Sequence, residues 1–273
     1  MNRGGIFIMS RNPLEIFSGA EVMEQYRLRE AAYWQGIQEV VADAGLGLKD
    51  VLQNVPAFWR RRDVPRFLAN YELFKMVVDL PGSVAEVGVF RGAGLMTWTH
   101  LLETFIPGDR LRRVFGFDHF QGYDGFSEQD GDARQWLSAH QGGDLMSADR
   151  RLVDRLLEIH DADSFCPGVP RALLIAGDVT ETLPRFVAEA DGVRFCLIHL
   201  DVNVHQAVRA ALDALYPRLV PGGIVALTAY GSPPWEGEAS AVEQYFGDNG
   251  LPMPAMATLP FSPIPRAYFR KPL

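Results

Sequence analysis

Segment 84–94, with the sequence VAEVGVFRGAG, constrains what this chain can fold into more than any other segment. A short apolar run leads to an acid and a glycine, Glu86 and Gly88, and two further glycines, Gly92 and Gly94, open a helical stretch. This order predicts a buried parallel strand, a tight turn and a helix whose N-terminus lies close to a ligand.

Glu86 indicates which kind of ligand this junction would bind. Loops that bind the phosphates of a dinucleotide present bare N–H groups and a helix dipole to an anion. Here a carboxylate stands at the end of the strand, which suits a ligand with positive charge, such as the ammonium and sulfonium groups of S-adenosylmethionine. Glycines also occur at strand–helix junctions that bind nothing. Whether this junction binds a ligand therefore has to be judged from the rest of the sequence.

Beyond this segment, apolar runs alternate with helical segments, which is the pattern of a parallel sheet with right-handed crossovers. The predicted strands cover residues 84–89, 114–117, 172–176, 195–200, 224–227, 255–259 and 266–269. Too few residues separate the last two for a helical crossover, so the final strand is expected to be antiparallel. The predicted fold class is α/β, with a doubly wound, mostly parallel seven-stranded sheet that is Rossmann-like and of the class I methyltransferase type.

Two regions lie outside this alternation. Residues 1–80 are predicted to form an N-terminal helical extension or lid, and residues 81–273 a class I methyltransferase domain. A capping box at Ser18–Glu21 would open the first helix, and a second helix is expected from about Val64. Residues 121–147 form a long stretch rich in Gly, Asp and Gln, and such loops are usually functional or disordered.

Charge and cysteine content limit the partners and the compartment. The net charge of −8 argues against binding nucleic acid through a broad basic surface. The two cysteines, Cys166 and Cys196, form neither a disulfide framework nor a zinc-binding spacing, which fits a reducing cytoplasm. No stretch is apolar for long enough to span a bilayer. We therefore expect a cytoplasmic protein without a nucleic-acid or membrane partner.

Acidic residues end three predicted strands and follow a fourth: Glu86, Asp118, Asp201 and Asp178. In an open α/β sheet the ligand lies outside the carboxyl ends of the strands, so these acids are expected to line one crevice. Asp118 lies about thirty residues after the first glycine, where an acid can accept bonds from both ribose hydroxyls. Phe120 could lie along an adenine face, whereas Asp178 could instead cap the helix that follows it.

Five motifs in this order resemble the macrocin O-methyltransferase family. They are EVGVFRG from Glu86, FDHFQG from Phe117, GDVTETLP from Gly177, HLD from His199 and LYPRLVPGG from Leu215. The resemblance covers about residues 81–246. It implies a class I S-adenosylmethionine-dependent enzyme that methylates sugar hydroxyls in antibiotic or surface-polysaccharide pathways, commonly with magnesium.

The resemblance also implies roles for single residues. Asp178 would lie by the adenine, and Asp201 would be both a metal ligand and a candidate base. The predicted cofactor-binding residues are Glu86, Gly88, Arg91, Gly92, Asp118, Phe120, Asp178 and Asp201.

The chain departs from the family where a metal would bind. The family usually has an acid two residues beyond Asp201 and an acidic pair just after strand five, but this chain has Asn203, Thr228 and Ala229 at these positions. Magnesium prefers octahedral oxygen ligation anchored by carboxylates. We therefore predict no catalytic metal, and Asn203 could serve only as a helix cap.

Methylation of a hydroxyl needs a group that removes its proton. Asp201 is the first candidate, followed by His119, beside the ribose-binding acid, and His205. His205 is predicted to lie in the first turn of a helix. There the helix dipole disfavours the protonated form of histidine, so the ring stays neutral and can act as a base. His199 lies within a predicted strand and is expected to be a core residue.

Aromatic residues in two loop segments are candidates for stacking on the acceptor: Tyr123, Phe126, Trp136, Tyr230 and Trp235. Aromatic residues in such segments also serve as ordinary packing anchors, so both roles remain open.

These observations together predict S-adenosylmethionine-dependent O-methylation of a sugar or nucleotide-sugar hydroxyl, with a small-molecule acceptor. The helical arm makes a homodimer plausible. A dehydrogenase-like nucleotide binder is disfavoured because the glycine spacing after Gly88 is not the usual one. The missing acids leave a second alternative, a protein that keeps the fold and the cofactor but has lost methyl transfer or gained different chemistry.

Overall fold

The structure is a computed structural model that describes residues 20–140 and 146–273. The helices are α1 (Ala20–Asp43), α2 (Leu48–Gln53), α3 (Val55–Phe58), α4 (Val64–Lys75), α5 (Ala93–Phe105), α6 (Ala133–His140), α7 (Arg150–Ala162), α8 (Val179–Glu189), α9 (His205–Leu215) and α10 (Glu236–Asp248). The strands are β1 (Ser83–Val87), β2 (Val114–Asp118), β3 (Ala172–Ala176), β4 (Phe195–Leu200), β5 (Leu219–Leu227) and β6 (Ala267–Arg270).

In the described part of the chain, six strands form one sheet in the order β3-β2-β1-β4-β5-β6. All neighbours are parallel except β5 and β6, which are antiparallel. The doubly wound, mostly parallel sheet and the antiparallel last strand are thus confirmed. The seventh strand, predicted at 255–259, is not formed, because only Ala257 pairs, in an isolated bridge with Tyr268. Pro254 and Pro260 flank this segment and have no N–H group to extend the ladder.

Two apolar layers enclose the sheet, because alternate residues of each strand face opposite sides. On one side Val87 of β1 belongs to a buried cluster with Leu212 of α9 and Val242 of α10. On the other side Val84 of β1 belongs to a second cluster with Trp98 of α5. The carboxyl ends of the parallel strands are therefore held in fixed positions by apolar packing on both faces.

Contacts divide the chain into two compact units, Met1–Val64 and Pro65–Leu273. In the first unit, the Tyr33 hydroxyl of α1 donates to the Phe58 carbonyl of α3, at 3.1 Å. The division lies before the boundary predicted at residues 80 and 81, because α4 packs with the sheet through residues such as Leu73. The lid role of the extension stays a prediction. Among the helices described, none is both long and apolar enough to cross a membrane.

The segment 121–147 has more structure than predicted. Its described residues, 121–140 and 146–147, include helix α6 and a 3-10 turn, Glu128–Asp130. The Phe120 carbonyl accepts a hydrogen bond from the Ala148 N–H at 3.1 Å, so the two ends of the segment lie side by side. Asp130 accepts a further bond from the backbone N–H of His205 at 2.7 Å, which fixes the 3-10 turn against the start of α9.

Arg171, just before β3, holds the connection between α5 and β2 in place. Its side chain is 2% exposed and its Nε donates to Glu103 Oε1 at 2.7 Å. The terminal nitrogens donate to the carbonyls of Arg112 at 3.0 Å, Ile106 at 3.2 Å and Pro107 at 3.0 Å. A planar guanidinium can satisfy several carbonyls at once, which an ammonium group on a flexible stem cannot reproduce.

We expect Arg171→Lys to lower the free energy of unfolding by about 2–3 kcal/mol, because several carbonyls would lose charged donors in a dry site. Urea denaturation followed by circular dichroism measures this change. Arg155→Lys is the matched control: Arg155 pairs with Glu158 on the exposed face of α7, and the free energy should change by less than about 0.5 kcal/mol. Equal effects of the two substitutions would contradict the role given to Arg171.

Candidate active site

A pocket opens where β1, β2 and β4 end, at the edge of the sheet predicted to bind the ligand. Its polar lining comes from Arg66, Asp118, His119, Tyr123, Asp124 and Asp201. Its apolar lining includes Val89, Phe120, Val179 and Val204. The pocket therefore combines carboxylates with an apolar wall, and one guanidinium.

The Asp118 carboxylate, at the end of β2, shapes the turn after β1. Its Oδ2 accepts the backbone N–H groups of Val89 and Phe90, both at 2.7 Å, and its Oδ1 accepts that of Phe120 at 2.6 Å. A carboxylate has about four acceptor sites, so Oδ1 keeps one for a ligand. Asp118 thus holds the loop in shape and still faces the pocket as an acceptor.

Glu86 lies beneath the pocket, 1% exposed, rather than in its lining. Its Oε2 accepts the Trp98 indole N–H at 2.7 Å and lies 2.7 Å from Nδ1 of His199. Its other oxygen, Oε1, is buried without a hydrogen-bond partner. Burial alone would lower the pKa of His199, but the charge and hydrogen bond of Glu86 raise it above its usual value. His199 is a buried core residue, as predicted, and its protonated form is the one that Glu86 favours.

Two positions of the predicted loop must be glycine, because other atoms of the protein lie where a Cβ would be. A Cβ at Gly94 would lie 1.8 Å from the unpartnered Oε1 of Glu86. Gly88 has a φ of +94°, and a Cβ there would lie 2.3 Å from the carbonyl oxygen of Asp201. Gly94 thus leaves Glu86 room beneath α5, and Gly88 lets the ends of β1 and β4 come together.

Asp201, just after β4, is paired with a residue that the sequence did not single out. Nη2 of Arg66, in the first turn of α4, lies 2.5 Å from Oδ2 of Asp201, and the side chains are 36% and 19% exposed. Burial alone would raise the pKa of Asp201, but the nearby charges of Arg66 and then His199 lower it below its usual value. Asp201 is therefore a carboxylate at neutral pH.

Tyr123 and Trp235 form an aromatic wall beside this ion pair. Their ring centroids are 5.0 Å apart, and the Trp136 ring is 6.3 Å from that of Trp235. The Tyr123 hydroxyl accepts from Nδ2 of Asn203 at 3.0 Å, and burial raises the pKa of this phenol. Asn203 has a φ of +57° and holds Tyr123 instead of capping α9, whose first N–H is bonded by Asp130.

Glu238 of α10 is a buried carboxyl group behind the end of β5. Its Oε1 accepts the backbone N–H of Thr228 at 3.1 Å, and its Oε2 accepts that of Ala229 at 2.6 Å. Burial raises the pKa of Glu238 to about 8, although these backbone bonds act in the opposite direction. The nearby charge of Asp201 raises it further.

The structure brings some of the predicted site residues together and not others. Gly88, Asp118, His119, Phe120 and Asp201 line the pocket. Their roles in binding or catalysis stay predictions.

The other predicted site residues lie elsewhere. Arg91 is exposed, with its guanidinium carbon 4.9 Å from the centroid of the Phe90 ring, and Gly92 is the residue before α5. Asp178 caps α8 by accepting from the Thr180 N–H at 2.8 Å. The His205 ring contacts Gln244 at 2.9 Å and does not line the pocket.

Sequence reasoning missed Arg66 and Asp124, which line the pocket, and the buried Glu238 behind it. Arg66 heads the stripe Ala69, Asn70, Leu73 and Phe74, all buried on one face of α4. An arginine at the start of an otherwise buried helical face is a recognisable signal of a paired charge. Glu238 carries no such signal, because its partners are backbone groups.

The sheet order, the antiparallel last strand and the acid-lined pocket at the strand ends together define a class I methyltransferase fold. Residues 72–259 match the profile of the family described as Macrocin-O-methyltransferase (TylF). This is more than half of the chain, which therefore belongs to the macrocin O-methyltransferase family.

Two curated relatives share the central part of the sequence. The 8-demethyl-8-(2,3-dimethoxy-alpha-L-rhamnosyl)-tetracenomycin-C 4'-O-methyltransferase of Streptomyces olivaceus is 29% identical over 64% of this chain and 62% of its own length. The mycinamicin III 3''-O-methyltransferase of Micromonospora griseorubida is 25% identical over 63% of each chain. The matched region thus spans less than two thirds of each relative.

Solved structures match over more of the chain. The crystal structure of the calicheamicin methyltransferase CalS11 has a TM-score of 0.78 and 29% identity, over 89% of this chain and 92% of that one. An apo structure of CalS11, described as a TDP-rhamnose 3'-O-methyltransferase, has a TM-score of 0.73 and 28% identity, over 89% and 94%. The O-methyltransferase NovP, at 20% identity and a TM-score of 0.59 over 77% and 81%, shares the fold.

Glu238 makes the stability of the fold depend on pH. The pKa of its carboxyl is about 8 in the folded protein against an ordinary 4.5. A raised pKa contributes stability below the unfolded value, and this contribution is lost as the pH rises through the folded value. As the pH rises from about 4.5 to 8, the wild type should therefore lose stability relative to Glu238→Gln, on the order of a few kcal/mol. The amide keeps one acceptor oxygen for the two backbone N–H groups, which adds a cost that does not vary with pH.

Thermal and urea unfolding across this pH range measure the effect. Glu243→Gln, on the exposed side of the same helix, is the control and should follow the wild-type curve. Parallel pH curves for Glu238→Gln and the wild type would show that Glu238 titrates normally.

Proposed function

We propose that this protein transfers a methyl group from S-adenosylmethionine to a hydroxyl of a sugar, as an O-methyltransferase of natural-product or polysaccharide biosynthesis. The observation that carries the proposal is that one pocket joins the Asp118 carboxylate, with a free acceptor site, to the Asp201 carboxylate at the end of β4. Membership of the macrocin O-methyltransferase family supports the same reaction.

The residues present fit S-adenosylmethionine. Asp118 would accept the ribose hydroxyls, and the apolar side chains of Phe120 and Val179 would adjoin the adenine. Glu86 supplies negative charge beneath the loop, and its Oε1 is a buried acceptor without a partner next to Gly94, which lines the pocket. An uncompensated buried acceptor of this kind favours a positively charged group nearby.

When bound, S-adenosylmethionine supplies an electrophilic methyl group on a sulfonium. The acceptor oxygen forms a bond to this methyl carbon, the carbon–sulfur bond breaks with its electron pair on sulfur, and the hydroxyl proton passes to a carboxylate of the chain. We assign this proton to Asp201. A depressed pKa makes Asp201 a weak base for a free hydroxyl, but the hydroxyl becomes strongly acidic as the new bond forms, so a carboxylate suffices.

His119 is the second candidate base and His205 the third. His119 lines the pocket, and its Nδ1 accepts the Gln121 backbone N–H at 3.0 Å. In the neutral ring Nε2 then carries the proton, so His119 would act as a base only after Nδ1 is released from Gln121. His205 is bonded to Gln244 outside the lining, so it supports the proposal least.

We propose a hydroxyl of a 6-deoxyhexose as acceptor, carried either by a nucleoside diphosphate or by a glycosylated natural product. The relatives support this choice, since CalS11 is described as acting on TDP-rhamnose and the Streptomyces relative on a rhamnosyl tetracenomycin. The aromatic wall of Tyr123 and Trp235 offers the flat apolar surface on which the C–H face of a sugar packs. We further propose a cytoplasmic protein without a nucleic-acid or membrane partner, with a homodimer as a candidate assembly.

The family resemblance implies a magnesium ion, but the residues present in this chain do not fit one. Asp201 is the single carboxylate at the expected place, since Asn203, Thr228 and Ala229 occupy the other positions. No cluster of three His, Cys, Asp or Glu residues suited to a metal occurs in residues 20–140 and 146–273. Magnesium prefers carboxylate oxygens in an octahedral arrangement. We therefore propose that no step of methyl transfer uses a metal ion.

We expect Asp118→Asn to weaken S-adenosylmethionine binding by about 10- to 100-fold, because the amide loses charge-assisted acceptors for the ribose. Isothermal titration calorimetry with S-adenosylhomocysteine and S-adenosylmethionine measures this. Asp149→Asn, at an exposed helix start where Asp149 also accepts a backbone N–H, should bind both compounds as the wild type does. Equal affinities of the Asp118 variant and the wild type would place the ribose elsewhere.

Asp201→Asn should lower kcat for methyl transfer by about 10²- to 10⁴-fold, the range for loss of a positioned base. Its affinity for S-adenosylmethionine should change much less. Single-turnover transfer of labelled methyl measures the rate. Full turnover with native cofactor affinity would exclude Asp201 as the base, and the same experiment on His119→Gln would then test the second candidate.

The acceptor is identified by incubating the protein with methyl-labelled S-adenosylmethionine and a panel of TDP-6-deoxyhexoses, rhamnosylated polyketides and cell extract. Label in a methyl ether of a sugar supports the proposal. Cofactor binding without label in any product would instead support the alternative of a fold that has lost methyl transfer.

A further inference from the structure

We propose that the guanidinium of Arg66 takes the place of a divalent cation in this site, so that methyl transfer proceeds without a metal. Arg66 would hold the Asp201 carboxylate in position and present its remaining N–H donors to the acceptor hydroxyl. This inference rests on the proposed function and adds a positively charged residue that contacts the acceptor.

The first argument is the position of Arg66. It stands in the first turn of α4, its side chain is 36% exposed, and it lines the same pocket as Asp118 and Asp201. The helix face below it is buried against the sheet through Ala69 and Leu73. The guanidinium is therefore carried by a packed helix and not by a mobile loop, which is the support that a preorganised charge needs.

The second argument is charge. Within the described lining of the pocket, Arg66 is the one arginine or lysine, and it shares this lining with the carboxylates of Asp118, Asp124 and Asp201. Asp201 is the nearest of these, with Oδ2 bonded to Nη2 of Arg66. A carboxylate whose oxygen is already bound by a guanidinium is a poorer ligand for magnesium, because the metal would have to displace a fixed cation of like charge.

The third argument is that the other groups around Asp201 are committed elsewhere. The amide nitrogen of Asn203 donates to Tyr123, and Glu238 is bonded to the backbone N–H groups of Thr228 and Ala229. Buried Glu86 points its Oε2 to His199 and Trp98 rather than to Asp201. In the described part of the chain, Asp201 belongs to no group of three or more His, Cys, Asp or Glu residues that could hold a metal ion.

The guanidinium can perform the electrostatic task. It has five N–H donors, of which one is bonded to Asp201 in the described residues. Its N–H donors stabilise alkoxide character on the acceptor oxygen, provided that the proton passes to Asp201 as the bond to the methyl group forms. Fixed donors aimed at developing negative charge are typically worth about 10²- to 10³-fold in rate. The acceptor oxygen gains the methyl group and gives its proton to Asp201, while Arg66 neither gains nor loses a proton.

The first experiment measures metal binding directly on the whole protein. Isothermal titration calorimetry with magnesium chloride alone should show no binding to the wild type, and methyl transfer should keep its rate in EDTA. Tight magnesium binding that is abolished by Asp201→Asn would overturn the proposal, whether or not methyl transfer is detected.

The second experiment separates a charged role of Arg66 from a structural one. Arg66→Ala should lower kcat by about 10²-fold, with KM for the acceptor raised less and with S-adenosylmethionine affinity unchanged. Arg66→Lys should recover part of the rate, since it keeps the charge but not the fork of donors. Guanidinium chloride at non-denaturing concentrations should restore part of the Arg66→Ala rate, an effect that a packing defect would not show.

Arg155→Ala, on the exposed face of α7, is the matched control and should have the wild-type rate and no response to guanidinium. Melting temperatures identify any variant that fails to fold. A full rate in Arg66→Ala, or recovery by magnesium but not by guanidinium or lysine, would overturn the proposal. If instead the proposed function is wrong, the wild type itself would yield no methylated product. The magnesium titration would still show whether the site binds a metal.

Discussion

The structure depends on a buried charge pair at its centre, Glu86 with His199. The two residues are register partners on the adjacent central strands β1 and β4, and both are fully or nearly fully buried. Trp98 of α5 donates to the same carboxylate oxygen. A buried carboxylate is costly unless it is paired and hydrogen-bonded, so these contacts fix the positions of both strand ends and of the helix that follows β1.

The remaining parts of the site follow from this pair. Two residues after His199 the chain reaches Asp201, and two residues after Glu86 it reaches Gly88, whose lack of a Cβ lets the strand ends meet. Asp118 then folds the turn over the strand end by accepting two consecutive backbone N–H groups. The pocket is therefore shaped by polar contacts of the protein with itself, and a ligand meets donors and acceptors that are already oriented.

The sequence predicted the sheet well because the central strands are mostly apolar, with Glu86 in β1 and His199 in β4 as exceptions, and β3 and β4 have the bounds expected. Topology then placed Asp118 and Asp201 in one pocket, since both end parallel strands. The role of Arg66 was not predicted because its partner, Asp201, lies 135 residues away in the chain. The seventh strand was predicted wrongly because prolines interrupt its pairing. Glu238 was missed because its partners are backbone N–H groups, which every residue except proline carries.

The closed base of segment 121–147 has a consequence for how such an enzyme could change its substrate. Phe120 and Ala148 are hydrogen-bonded to each other, so the positions of the strands do not depend on how many residues lie between these two. Loop-closure entropy grows only slowly with length, so residues can be inserted or removed at small cost to folding where the contacts of Tyr123 and Asp130 with the rest of the protein are kept. The segment carrying Tyr123 is therefore a place where enzymes that share this scaffold could come to differ in the acceptor that they bind.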